Sequence, residues 1–328
     1  MNTVHECIDV FPFTSPPIIT VERREDLLLS APSTKGGRLR EHPVIEAIHF
    51  GATYTEQKFA PPRGVFESSS VRIEWQNMNG RQPFYHRNCG VDEISFQVCG
   101  DRTLITELGS VELKAGDFSR IPDGIAHDNF GRSDVHLLFY VPSPTTELTT
   151  PATTSEYKPE PFPGWQPATI DELTTEGVGG PGQDLMLVPV DEKMLIDAAL
   201  SAQARIQVLH PYEYTPSVQW LYRNDEICLG REARSFSKGN LYVKHRDAEE
   251  IQYQVKGSRT LVTQRGTIHL EPGDFVCIPR GVAFTSIHLE PSEHIVLASV
   301  TSIPQVAKAT KHGTRPSVEE IEALRQQA

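Results

Sequence analysis

Cysteine is scarce and scattered in this chain. Its 328 residues hold five, Cys7, Cys89, Cys99, Cys228 and Cys277, with no C-x-x-C pair among them. That count and spacing argue against a disulfide framework or a structural zinc site and point to a reducing compartment, with the cytoplasm as the expected location. Long hydrophobic runs are missing too. None approaches the roughly 20 residues that span a bilayer, and the opening MNTVHECIDVFPFTSPP has no charged segment followed by an apolar one, so neither a membrane nor a secretory signal is expected. Basic residues are outnumbered, 31 Lys and Arg against 43 Asp and Glu, for a formal charge of −12 and a pI near 5.5. An acidic surface repels phosphate backbones, which excludes nucleic acid as an expected partner. There is no G-x-G-x-x-G, no phosphate-cradling G-x-x-x-x-G-K-[ST] and no G-x-S-x-G, so nucleotide binding and serine-hydrolase chemistry have no support.

What the chain does contain is itself, twice. Residues 93–127, EISFQVCGDRTLITELGSVELKAGDFSRIPDGIAH, align without a gap on residues 250–284, EIQYQVKGSRTLVTQRGTIHLEPGDFVCIPRGVAF, and 18 of 35 positions agree at an offset of 157. A match of that density is a duplication, and it predicts two homologous domains. The repeated unit reads as β structure. In EISFQV, Ile94, Phe96 and Val98 alternate with Glu93, Ser95 and Gln97, the period of a strand with one apolar and one polar face. Short strands punctuated by evenly spaced glycine turns indicate an all-β sandwich or barrel. A polar inner face lines the barrel for a ligand or a metal. The apolar outer face then needs cover from the second domain, the N-terminal segment or another subunit.

Five segments follow: an irregular N-terminal arm (1–45), a first barrel (46–145), a Pro/Thr/Gly-rich linker (146–185), a second barrel (186–305) and a tail (306–328). In the tail, Ser317 and Glu320 have the spacing of a capping box. Val318, Ile321 and Leu324 follow at helical intervals, so a short C-terminal helix is expected.

The chemistry concentrates in the first repeat. FYHRNCGVDEISFQVCG (84–100) places His86 seven residues before Glu93. GDFSRIPDGIAHDN (116–129), of the form G-x5-P-x-G-x2-H-x-N, supplies His127 after a Pro-x-Gly turn. These segments resemble the two sequence motifs of the cupin superfamily, and YHRNC (85–89) resembles the metal-binding stretch of homogentisate dioxygenases.

The resemblance implies two tandem jelly-roll barrels, the first holding a divalent metal through His86, Glu93 and His127. Two neutral imidazoles and one carboxylate make a facial triad that leaves positions open for O2 and a chelating substrate. Many cupins carry a further histidine two residues after the first. Here that position is Asn88, as in homogentisate dioxygenases, which favours a three-ligand Fe(II) site over four-ligand Mn or Ni, with Zn a further alternative. Asp92 stands where those dioxygenases place their acid, so Asp92 and Glu93 both remain candidates, with Glu93 in register with Glu250. Asn88 and Gln97 are candidate catalytic residues that could hydrogen-bond substrate or O2. In the second repeat, Val243 and Phe284 replace the two histidines and His245 falls opposite Asn88, which predicts a metal-free barrel. The implied activity is Fe(II)-dependent cleavage of a dihydroxy-aromatic ring of hydroquinone, gentisate or homogentisate type. A metal-dependent lyase or isomerase and a non-catalytic binding protein are the alternatives. A small aromatic substrate is the expected partner, and the chain is expected to form a homo-oligomer, with a small second subunit as a variant of that assembly.

Overall fold

The structure, a computed structural model, describes residues 2–14, 17–30, 42–57, 60–82, 84–142, 144–157, 168–176, 186–212 and 217–327. It is a mostly β molecule with two tandem barrels and helices at Glu25–Leu29, Glu192–Ser201 and Val318–Arg325. None of these helices is long and apolar enough to cross a membrane.

In the first barrel the two strands that carry the repeat are long. Val91–Thr106 pairs antiparallel with His127–Pro142 from His127↔Thr106 to Pro142↔Val91, with bulges around Arg132 to His136. In the second barrel the same strands are each broken in two, at Glu249–Lys256 and Arg259–Thr263, and at Phe284–Ile287 and Ser292–Ser299. The repeat glycines Gly100 and Gly257 mark equivalent turns. Both have positive φ, 69° and 62°, and a Cβ at either would stand 2.1 Å from a backbone carbonyl oxygen, a geometry only glycine tolerates.

The alternation of EISFQV divides inside from outside. Glu93, Ser95 and Gln97 are buried within the barrel. Ile94, Phe96 and Val98 enter one large core with Val135, Leu137 and Phe139 and with Ile251, Tyr253, Val255 and Leu297 of the second repeat. The second domain is therefore the cover for the apolar face, and that face does not call for another subunit.

The flanking segments are exchanged between the barrels. Thr3–Asp9 pairs in parallel with Leu241–His245 of the second barrel, and Glu46–His49 pairs with Asp274–Ile278 there. Reciprocally, Thr169–Glu176 pairs in parallel with Tyr85–Cys89 of the first barrel, and Gln207–Leu209 pairs with Phe118–Ile121. The exchange is symmetric down to side chains. Glu172 meets Arg87 at 2.7 Å on one side, and Glu6 meets Lys244 at 3.4 Å on the other. His210 contacts Asp117 at 2.8 Å, and His49 contacts Asp274 at 2.9 Å. Boundaries at 46 and 186 thus separate the repeats but not the barrels. Only part of the N-terminal segment is irregular, and the linker contributes a strand to the first barrel, although much of it, 158–167 and 177–185, lies outside the described residues.

The C-terminal helix forms as its sequence requires, with Ser317 Oγ accepting from the Glu320 amide and Glu320 Oε2 accepting from the Ser317 amide. Ile321 packs against Val4, Leu28 and Tyr242, and Arg325 forms a bidentate pair with the buried Glu25. The tail thereby locks the N-terminal segment onto the second barrel.

Candidate metal centre

His86, Glu93 and His127 come from three strands, Tyr85–Cys89, Val91–Thr106 and His127–Pro142. The strand ladder brings them together. His127 is paired directly with His86, and Glu93 begins the polar, inward side of the neighbouring strand. Their donor atoms all lie within 4.8 Å of one another. The Nε2 atoms of His86 and His127 are 3.5 and 3.2 Å from Glu93 Oε2, and the two rings are 3.8 Å apart at an angle of 61°.

Each ligand is oriented from behind. His127 Nδ1 donates to the Ile125 carbonyl at 3.0 Å, which leaves Nε2 for a metal. His86 Nδ1 is 2.7 Å from the Gln82 side-chain amide, which Asn129 holds from its other end. Ligation through His86 Nε2 requires a proton on Nδ1 and a Gln82 oxygen facing it, which takes a half-turn of both the Gln82 and Asn129 amides. Asn88 Nδ2 donates to Glu93 Oε2 at 2.8 Å, and Thr175 Oγ1 donates to Asn88 Oδ1 at 2.8 Å. Asn88 therefore has both polar atoms engaged in aiming the carboxylate, and Thr175 reaches it from the exchanged segment.

The electrostatics fit a cation. Burial pushes the Glu93 carboxyl upward, but His127 and His86 beside it outweigh burial and hold it well below the usual carboxylate range. Burial lowers His86, and its neighbour His127 lowers it further. Burial also opposes charge on His127, yet Glu93 raises it above the ordinary histidine value. The pairing of His127 with Glu93 favours a proton on the imidazole, which a divalent cation at Nε2 would displace. Donor types, burial and mutual distances all suit a metal of the Fe(II), Mn, Ni or Zn group.

The remaining sequence candidates fall elsewhere. Asp92 faces out of the barrel, accepting from Arg120 Nη1 at 3.2 Å and from the Asp123 and Thr145 amides at 3.0 and 2.9 Å. Of the two acids only Glu93 lies with the two histidines, because adjacent strand residues point to opposite faces. Gln97 lies on the Glu93 face but four residues further on, roughly 13 Å at the rise of a strand. Its Nε2 donates to Asp134 at 2.5 Å and to the Cys99 carbonyl at 2.9 Å, so it is not among the groups gathered at the triad.

Two features escaped sequence reasoning. Arg102 is 1% exposed and donates inside the barrel to Ser95 at 2.6 Å and Asn129 at 3.3 Å. Its counterpart Arg259 donates to Gln252, Gln254 and Ser286. The signal was present, since the arginine is one of the positions shared by both repeats. Thr175 left no signal, because nothing in the linker announces its pairing with the His86 strand.

The second barrel repeats the architecture without the two paired histidines. Val243 pairs with Phe284 as His86 pairs with His127. His245 Nε2 meets Glu250 Oε2 at 2.6 Å, where Asn88 meets Glu93.

No protein-family model matches the chain, and no curated protein matches it in sequence. It is similar to solved structures. A cupin 2 conserved barrel domain protein from Leptotrichia buccalis shares 8% identity over 79% of this chain and 98% of that one, with a TM-score of 0.49. Protein Ylba from E. coli shares 12% over 86% and 99%, with a TM-score of 0.45. A deletion mutant of Bacillus subtilis oxalate decarboxylase OxdC shares 14% over 81% and 80%, with a TM-score of 0.46. At these identities and TM-scores the likeness is limited and concerns fold alone.

Proposed function

We propose that the chain is a non-haem Fe(II)-dependent dioxygenase that opens the ring of a dihydroxy-aromatic compound. The observation that carries this reading is the donor set. Two imidazoles and one carboxylate converge in a buried site, and the position that could offer a fourth donor holds Asn88, whose side chain is engaged by Glu93 and Thr175. The resemblance of YHRNC to the corresponding stretch of homogentisate dioxygenases supports the substrate class.

A bound ferrous ion would supply a Lewis-acidic centre with positions left open for substrate and O2. The chain's own groups do the rest. Gln82 and the Ile125 carbonyl fix the ring orientation of the two histidines. Asn88 holds Glu93 so that one oxygen faces both imidazoles. Glu93 and His127 are buried, which strengthens the electrostatic contact between them.

The reading is tested by anaerobic loading with Fe(II), followed by oxygen-electrode traces against hydroquinones, gentisate, homogentisate and catechols. Substrate-dependent O2 uptake at one iron per chain, lost in His127→Ala and kept in His245→Ala, is the expected result. Full metal occupancy with no uptake on any diol would overturn it and leave a Lewis-acid lyase or isomerase.

A further inference from the structure

The second barrel encloses a chamber of about 370 Å³, within the range of small-molecule sites, roughly 300–1,000 Å³. One wall is aromatic and apolar, built by Phe13, Trp220, Val243 and Phe284. The last two stand at the register pair that holds the metal-binding histidines in the first barrel. In the second barrel that register pair makes the wall apolar. Phe13 arrives from the N-terminal segment with φ at 60°, a conformation uncommon for a bulky residue. Its ring stacks on Trp220 at 5.2 Å and 15° and lies 4.6 Å from the His245 ring.

The other wall is polar, and most of its charged groups are engaged, with Asp9 accepting from the Val10 amide. Glu232 accepts from Arg234 Nε and lies 3.2 Å from His294 Nε2. Burial acts to raise the Glu232 carboxyl, but His294 and Arg234 hold it far below the usual range. Glu250 accepts from His245 at 2.6 Å and from the Gln252 amide. Arg259 is bonded to two lining residues, Gln252 and Ser286, at 2.6 Å each.

What remains open is neutral at its centre. His288 is 1% exposed, and its Nδ1 is 2.7 Å from Ser292 Oγ, so Nε2 has no partner among the described residues. Burial, then Arg259, push its pKa down to about 3, so it is an uncharged ring. Arg234 is the lining cation, and its charge is met by Glu232 through Nε while its side chain is 38% exposed. An ion would lose its hydration on reaching the uncharged His288 ring. A flat ring with a hydroxyl would bury its faces among aromatics and satisfy a stranded nitrogen.

We propose that the second barrel binds an uncharged planar aromatic molecule bearing a hydroxyl, its ring among Phe13, Trp220 and Phe284 and its hydroxyl toward Nε2 of His288. This site is separate from the metal centre and does not depend on the chemistry assigned there.

Calorimetric titration of the full-length protein with 2-naphthol, naphthalene and 2-naphthoate tests the assignment. One 2-naphthol per chain should bind at least tenfold more tightly than either comparator. Val243→Trp, which fills the chamber, should abolish binding, and His288→Phe should erase the preference for 2-naphthol over naphthalene. His127→Ala should leave all three affinities unchanged, so failure of the iron assignment is distinguishable from failure of this one. Quenching of tryptophan fluorescence by bound 2-naphthol, absent in Trp220→Phe, locates the ligand even if Val243→Trp does not fold. Absence of 2-naphthol binding, 2-naphthoate binding equally well, or quenching that survives Trp220→Phe would each overturn the proposal.

Discussion

If His86, Glu93 and His127 hold a metal, the Val243/Phe284 pair is the main difference that keeps the second barrel from doing so, and the second should be convertible. The perturbation is the double substitution Val243→His and Phe284→His. In the first barrel the equivalent pair places two Nε2 atoms 3.5 and 3.2 Å from a shared carboxylate oxygen. The second barrel keeps that carboxylate as Glu250, 4% exposed, and already holds His245 Nε2 at 2.6 Å from it. Two imidazoles at 243 and 284 would complete a set of three or four donors. Without metal the change destabilises the protein. Losing the buried phenyl and leaving imidazole nitrogens unpaired costs about 1–3 kcal/mol at each position. Metal then restores about 2.7 kcal/mol when its free concentration is a hundredfold above the dissociation constant. Elemental analysis after anaerobic loading should find one more ion per chain than in the parent protein, and the unfolding midpoint should rise with added metal. A folded double variant that takes up no extra ion would refute the claim that the Val243/Phe284 pair is what separates the barrels.

Metal uptake at the first barrel should release about one proton per chain near neutral pH. His127 is raised by Glu93, so their pairing stabilises the metal-free protein below the ordinary histidine range and fades as pH rises through the folded value. Metal affinity should therefore climb with pH across that window, as titration in buffers of differing ionisation enthalpy would show, and an affinity flat with pH would contradict it. Arg325→Ala leaves Glu25 buried with only the Tyr242 hydroxyl, at 2.7 Å. The expected cost is about 3–5 kcal/mol, read from urea unfolding. Gly257→Ala forces a Cβ to within 2.1 Å of the Pro291 carbonyl at a φ of 62°. It should lose about 1–3 kcal/mol from the backbone conformation alone, visible as a lower melting temperature.

The cluster of His86, Glu93 and His127 was legible because three independent patterns converge on it: donor type, motif spacing and the duplicated repeat. The repeat acted as an internal control, since Val243 and Phe284 show that the barrel does not need imidazole at those places to fold. The choice between Asp92 and Glu93 was a question of strand face. The sequence posed it and only the structure answered it, when Asp92 was found tied to Arg120 and two loop amides. Gln97 was drawn toward the site by sharing that face, but along a strand a shared face does not mean proximity.

Local sequence determined what depends on near neighbours along the chain: the period of two that splits EISFQV into an outer and an inner side, the glycine turns, and the capping box at Ser317. The tertiary structure alone decided which repeat each flanking segment joins. A strand's hydrogen bonds run to whichever edge is presented to it, and nothing in Thr3–Asp9 or Thr169–Glu176 encodes the identity of a partner far away in sequence. That exchange puts Thr175 behind Asn88 at the metal centre and Phe13 against Trp220 in the second barrel, so the surroundings of both sites were set by long-range pairing.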